Sequence, residues 1–321
     1  MKNKIIATLV ALGLVGSASA IEINENLSIN GFIDTSYTHV ERNGATNTQS
    51  LGLDEIELNF LFNVGGASGA IHIDDYDSAA GYPTDEGIDI EQAFIGYSLE
   101  SGVSLTIGKY GSQLGLERED PGGLATYSRA YNSSVFNLGD VDSNVNEGIR
   151  FGYASDTFGI AASLQNRGDS DLEGDDLDLE LSFSYTGIEN LTLGGGYHFD
   201  NQVDSANEID KLNIHVTTTM GKFLLGAEYI EIDASAATAA DLDGWMLLAD
   251  YDVSEKLGVA LRISSNEGIN AVTGASEDYE KVTIAPNYSL SESLGVILEY
   301  SDVEDAGNDG NELALELTFT F

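Results

Sequence analysis

Between residues 53 and 64 the chain reads LDEIELNFLFNV. Ile56, Leu58, Phe60, Phe62 and Val64 fall on one parity, and Glu55, Glu57, Asn59 and Asn63 on the other. The rhythm returns in DLDLELSFSY (176–185), in KVTIAPNYSL (281–290) and in ELALELTFTF (312–321). Successive side chains of an extended strand point to opposite faces, so each segment is two-faced as a strand. Wound as a helix, the same residues would scatter around the axis, and no stretch has the 3.6-residue period of an amphipathic helix. The chain is therefore read as all-β.

Two kinds of joint separate these segments. Short ones are Val64-Gly65-Gly66, Glu100-Ser101-Gly102, Ser155-Asp156, Ile188-Glu189-Asn190, Met220-Gly221-Lys222, Ser254-Glu255 and Ser291-Glu292-Ser293. Longer polar stretches lie near 41–50, 76–87, 166–175, 233–240, 265–276 and 302–311, and the longest runs over 111–144. The spacing predicts about 16 strands of roughly 10 residues, with about 7 short turns alternating with about 8 longer loops.

An alternating strand suits a soluble sandwich or barrel as well as a membrane barrel, because only the solvent on the apolar face differs. Three features decide for the membrane. MKNKIIATLVALGLVGSASA has two early lysines, a short apolar run and Ala18-Ser19-Ala20, the layout of a secretory signal peptide over 1–20. Short and long connections alternate, as on the two rims of a membrane barrel. Aromatics on the apolar parity gather near segment ends, among them Tyr97, Tyr153, Tyr185, Phe199, Phe223, Trp245, Tyr251, Tyr288 and Tyr300, where amphipathic rings favour a membrane interface. Residues 21–321 are thus expected to form one transmembrane antiparallel up-and-down β-barrel whose last strand pairs with the first, near 27–40. Closure is required because an unpaired strand edge in hydrocarbon is prohibitively costly.

The chain carries 54 acidic and 13 basic residues, for a formal net charge of −41. That balance excludes nucleic acid as a partner, since little here could neutralise a row of phosphates. The absence of Cys excludes a disulfide scaffold. On the polar parity, taken as the lumen face, stand Glu55, Glu57, Asp178, Glu180, Glu228, Asp250, Glu299 and Glu316, with Asp34 and Glu91 beside them. Basic groups of the same parity are few: Arg150, Arg262, Lys211 and Lys109. Carboxylates lining a low-dielectric wall attract cations, so a cation-preferring pore is expected. The plainer reading is that acids and arginines pair across the wall and select nothing.

The whole pattern from Ile21 to Phe321 resembles the outer-membrane β-barrel porins of Gram-negative bacteria, both general porins and the OmpL-like class. LTIGKYGSQLGLE (105–117), YSRAYNSSVF (127–136) and NEGIRFGYA (146–154) are similar to a recurrent porin-like arrangement of strand end, long loop and strand start. The resemblance implies a bacterial outer-membrane channel for small hydrophilic solutes or cations. It also implies a 111–144 loop folded into the lumen, which makes Glu117, Arg118, Glu119, Asp120, Arg129, Arg150 and Arg262 constriction candidates. Terminal Phe321 looks like the signal read by outer-membrane assembly machinery, and porins of this kind are often homotrimers. Lipid and lipopolysaccharide are the expected surroundings.

Other motifs are weaker. Asp169, Asp171, Glu173, Gly174 and Glu180 fall at EF-hand-loop positions, but strand pattern rather than helix follows them, so a solvated acidic loop is the reading. Loose divalent binding there, or by Asp302, Glu304, Asp305 and Asp309, would suit a structural barrel plugged by its loops, which is the alternative function. The four histidines His39, His72, His198 and His215 show no metal-ligand spacing, and no cofactor or metal is expected. An outer-membrane enzyme, a third alternative, would need a Ser–His pair on the lipid side, whereas His198 and His215 fall on the lumen parity.

Overall fold

In the computed structural model the described residues are 20–76, 88–117, 123–131, 145–166, 177–201, 209–234, 240–270 and 278–321. Strands account for all the regular elements among them: β1 (Ile21–Asn24), β2 (Leu27–Arg42), β3 (Thr48–Val64), β4 (Ala67–Tyr76), β5 (Asp89–Ser98), β6 (Val103–Gly111), β7 (Val145–Ala154), β8 (Phe158–Asn166), β9 (Asp178–Ile188), β10 (Leu191–Phe199), β11 (Ile209–Met220), β12 (Phe223–Ala234), β13 (Ala240–Asp252), β14 (Leu257–Asn270), β15 (Tyr279–Ser289), β16 (Leu294–Asp305) and β17 (Asn308–Thr320). From β2 to β17 each strand pairs antiparallel with the next, and β17 pairs with β2, so 16 strands close into a barrel. The segment proposed as a signal peptide lies outside the described residues up to position 19.

Closure uses the residues the alternation marked. Leu313 faces His39 across the seam and Phe319 faces Ile33. Phe321 continues the seam by exchanging two 3.1 Å backbone hydrogen bonds with Gly31. Gly31 is required there, because a Cβ would stand 2.1 Å from the Glu57 carbonyl oxygen. The short β1 has no counterpart in the sequence reading. It folds back on the start of β2, with Ile21 opposite Ile29, and so covers edge groups below the reach of β17.

The two faces separate cleanly. Leu313, Leu315, Leu317 and Phe319 are exposed to the surroundings of the barrel, while Ala314, Glu316 and Thr318 are buried inside. Exposed aromatics collect toward the turn-side rim, where Tyr153 lies against Phe158 and Phe223 against Tyr251 at ring-centroid distances of 5.8 and 4.6 Å. Among the described residues, seven connections of two to four residues join barrel strands on that rim, as at Gly65-Gly66 and Glu189-Asn190.

The opposite rim differs from expectation in two places. The polar stretch 302–311 is a hairpin, with strands running to Asp305 and from Asn308 around Ala306 and Gly307, both at positive φ. That is the two-residue turn whose twist matches paired strands. Asp302, Glu304 and Asp309 therefore sit on ladder positions, and Glu304 faces Asp309. Half of the stretch 41–50 is likewise strand, at 41–42 and 48–50. Polar residues beyond the membrane still pair, so hydrophobic alternation alone understates strand length.

Candidate functional site

The segment after β6 does not leave the barrel rim as a free loop. Its described parts, 112–117 and 123–131, bond to side chains on the inward parity around much of the wall. At β9, Glu180 accepts from Ser112 Oγ at 2.5 Å and from the Gln113 backbone N–H at 3.1 Å, and Ser182 donates to Gln113 Oε1 at 2.5 Å. At β12, Glu228 accepts from the Leu116 N–H at 2.6 Å and from Asn213 of β11 at 2.7 Å. At β16, Glu299 accepts from both the backbone N–H and the hydroxyl of Ser128. At β2, Ser36 meets the Tyr127 hydroxyl at 3.1 Å. Burial, with Asp54, Asp34 and Glu316 nearby, pushes that phenol well above its usual range, so it stays neutral.

Arg262 of β14 is the densest of these joints. Its guanidinium donates to Glu117 Oε1 at 2.5 Å, Thr126 Oγ1 at 2.8 Å, Ser128 O at 2.6 Å and Arg129 O at 2.8 Å. Glu117 answers by accepting from the Ala130 N–H at 2.7 Å, while its carbonyl takes a bond from Arg129. A rigid planar fork with five donors suits this task, which a lysine could not perform. Arg150 of β7 lies 4.3 Å from the Tyr110 ring centroid and donates to Gly111 O at 2.6 Å where the chain turns inward. A carboxylate oxygen of Glu180 lies 3.8 Å from it.

Apolar packing completes the dock. Ile230 and Ile232 of β12 and Leu242 and Met246 of β13 point inward and bury Leu114, Ala130 and Tyr131. Beyond Tyr229 the alternation of β12 persists while its polarity inverts: Glu231 and Asp233 are exposed and Ile230 and Ile232 are buried. That inversion is visible in YIEID (229–233), a signal the strand reading passes over.

The acids form a second feature. Asp34 and Glu316 lie on the inward face on either side of the seam, Glu55 is opposite Asp34, and Glu57 and Asp74 are register partners on β3 and β4. Asp54 joins them through a register shift between Asp34 and Thr35, a β-bulge that turns two consecutive side chains inward. Parity counting places Asp54 on the lipid face and so misses it. On β3–β5, Glu57, His72 and Glu91 converge, with candidate ligand atoms all within 4.8 Å of one another. Of the loop's bonds described above, none falls on β3, β4 or β5.

The remaining predicted residues divide as follows. Glu57, Asp178, Glu180, Glu228, Glu299 and Glu316 are buried on the inward face. Asp178 sits at the loop-side end of β9, where it accepts from the Asn201 N–H. Asp250 lies near the turn-side end of β13, away from the dock, opposite Ala260. Arg150 and Arg262 are wholly covered, at 1 % and 0 % exposure, and Lys281 is engaged by Glu312 at 2.8 Å. Arg118, Glu119 and Asp120 lie outside the described residues, as does the 167–176 segment with most of the EF-hand-like pattern.

A closed antiparallel barrel with an apolar exterior, aromatic rims and a polar, carboxylate-lined interior defines an outer-membrane channel protein. A family model described as Gram-negative porin matches residues 7–308. The chain belongs to that family, and its place is the bacterial outer membrane. Solved structures agree on the fold. OmpF of Salmonella typhi is 13 % identical with a TM-score of 0.69, over 94 % of this chain and 100 % of that one. A loop-L8 deletion mutant of OmpT, an outer-membrane protein of Vibrio cholerae, is 17 % identical with a TM-score of 0.66, over 92 % and 99 %. An anion-selective porin from Comamonas acidovorans is 12 % identical with a TM-score of 0.63, over 92 % and 99 %. A comparison with curated proteins finds no match.

Proposed function

We propose that this porin is a passive, water-filled path for small hydrophilic solutes with a preference for cations, narrowed by the 111–144 segment, and that it catalyses no reaction. The observation that carries the cation preference is the fate of the charges. Arg150, Arg262 and Lys281 are spent on the loop or on a neighbouring carboxylate, whereas Asp34, Asp54, Glu55, Asp74 and Glu316 share the wall of β2–β4 and β17. A mobile cation passing that wall meets a negative field that those buried basic groups do not offset. In this account Arg150 and Arg262 shape the constriction by holding the loop, and Glu117 and Arg129 are part of the same clasp.

A plugged barrel is the reading favoured by one specific observation, the density of bonds between loop and wall. Planar-bilayer recording separates the two. Stable open steps from detergent-folded mature protein support the channel with a narrowed lumen; a heat-modifiable barrel that never opens would support the plug. A trimer form of Vibrio cholerae OmpT supports proposing a homotrimer here, and crosslinking in native membranes tests it. Removal of residues 1–20 on export, lipopolysaccharide around the rim, and reading of Phe321 by assembly machinery belong to the same proposal.

A further inference from the structure

We propose that Glu57, His72 and Glu91 form a binding site for a borderline divalent transition-metal ion, of which Zn²⁺ is the representative, set in the lumen wall formed by β3–β5. His72 Nδ1 stands 3.2 Å from Glu57 Oε1 and 3.7 Å from Glu91 Oε2. Donor atoms around a tetrahedral Zn²⁺ bound at about 2.0–2.1 Å lie roughly 3.3–3.4 Å apart, and these two separations bracket that spacing. A single Nδ1–H cannot satisfy carboxylates on both sides at once, whereas a dication can serve all three donors.

The site is built rather than accidental. The three residues come from three adjacent strands, and their side chains are 2 %, 16 % and 4 % exposed for Glu57, His72 and Glu91. The imidazole is set against Phe94, ring centroids 6.3 Å apart, which limits its rotation. An independent observation comes from Asn59. It is the register partner of His72 on the same inward face, is 7 % exposed, and its Oδ1 has no hydrogen-bond partner among the described residues. A buried oxygen without a donor has lost its hydration with nothing in return. A metal ion, or the shell of a bound one, would supply what that oxygen lacks. One imidazole nitrogen with carboxylate and amide oxygens suits Zn²⁺ or Ni²⁺, whereas Mg²⁺ and Ca²⁺ favour all-oxygen sets. The proposal goes beyond the channel reading and does not depend on it.

The test is isothermal titration of ZnCl₂ into the detergent-folded full barrel with millimolar Mg²⁺ present to occupy loose acidic sites. The wild type is compared with His72→Gln, Glu91→Gln and an Asp250→Asn control on distant β13, each shown to be folded by heat modifiability. Expected is one micromolar-or-tighter Zn²⁺ site per chain, weakened at least about tenfold by His72→Gln and by Glu91→Gln and unchanged by Asp250→Asn. Zn²⁺ affinity equal in wild type and His72→Gln would overturn the proposal by making binding a property of general acidity. Absence of a Mg²⁺-resistant site would overturn it by leaving His72 as an ion-pair partner alone. Because binding is read directly, a barrel that proves plugged would still give the same Zn²⁺ titration.

Discussion

Individual side chains carry most of the functional argument, and Arg262 is the clearest case. Removing one partner of a buried ion pair costs about 3–5 kcal/mol, because the other is left charged and unsatisfied. Here that cost falls on the loop rather than on the ladder of β14. Arg262→Met is expected to raise single-channel conductance and add flicker while the barrel remains heat-modifiable. The double variant with Glu117→Gln should recover part of the closed-loop behaviour, since the stranded carboxylate is then gone. Conductance traces indistinguishable from wild type would show that the clasp does not set the aperture. Asp54 makes the complementary point. One carboxylate about 8 Å from a passing ion contributes about 0.5 kcal/mol in water, so Asp54→Asn should lower the cation-to-anion permeability ratio roughly twofold. The same change at exposed Asp302 should leave the ratio alone. At this scale the sequence is legible wherever alternation is regular: Glu57, Glu180, Glu299 and Glu316 lie on the inward face that parity assigns to them. Asp54 is hidden because a bulge shifts parity without leaving a mark in composition. The Glu57–His72–Glu91 cluster is hidden because its members lie far apart along the chain and meet only through register.

Elements explain why the wall takes this form. Strand β17 faces lipid with Leu313, Leu315, Leu317 and Phe319, and its other face joins Glu316 and Thr318 to Asp34 across the seam. A charge on the lipid face of a barrel costs about 2–4 kcal/mol near the bilayer midplane. Leu315→Arg, at the middle of β17, should reduce the free energy of folding into lipid vesicles by that amount, measured by reversible denaturant titration. Phe319→Arg, on the same lipid face at the strand end near the interface, should cost about 1 kcal/mol or less. Equal costs would contradict the assigned orientation. Strands β12 and β13 depart from the pattern in a way that serves the loop, because their inward residues Ile230, Ile232, Leu242 and Met246 are apolar where the other strands are polar. An alternation count registers such a strand as ordinary, since its period is intact and only its polarity is exchanged. The short 306–307 turn escapes the sequence reading for a related reason: acidic residues above the membrane resemble a loop in sequence yet still pair as strand.

For the whole molecule, fold class, closure, rim asymmetry and membrane setting all follow from period-two patterning and joint lengths, because a membrane barrel must satisfy its backbone through neighbouring strands and cannot hide irregularity in lipid. Which charges face the open path does not follow from patterning, because it depends on which of them the loop consumes. The central claim is that the basic side chains on the dock are consumed while Asp34, Asp54, Glu55, Asp74 and Glu316 of β2–β4 and β17 act on the permeant ion. The most direct test is the zero-current potential of the purified protein in a planar bilayer across a KCl gradient. The account predicts a potential of the cation-selective sign that shrinks when Asp54 and Glu316 are neutralised together. An anion-selective potential, or a cation-selective one indifferent to that double change, would contradict it.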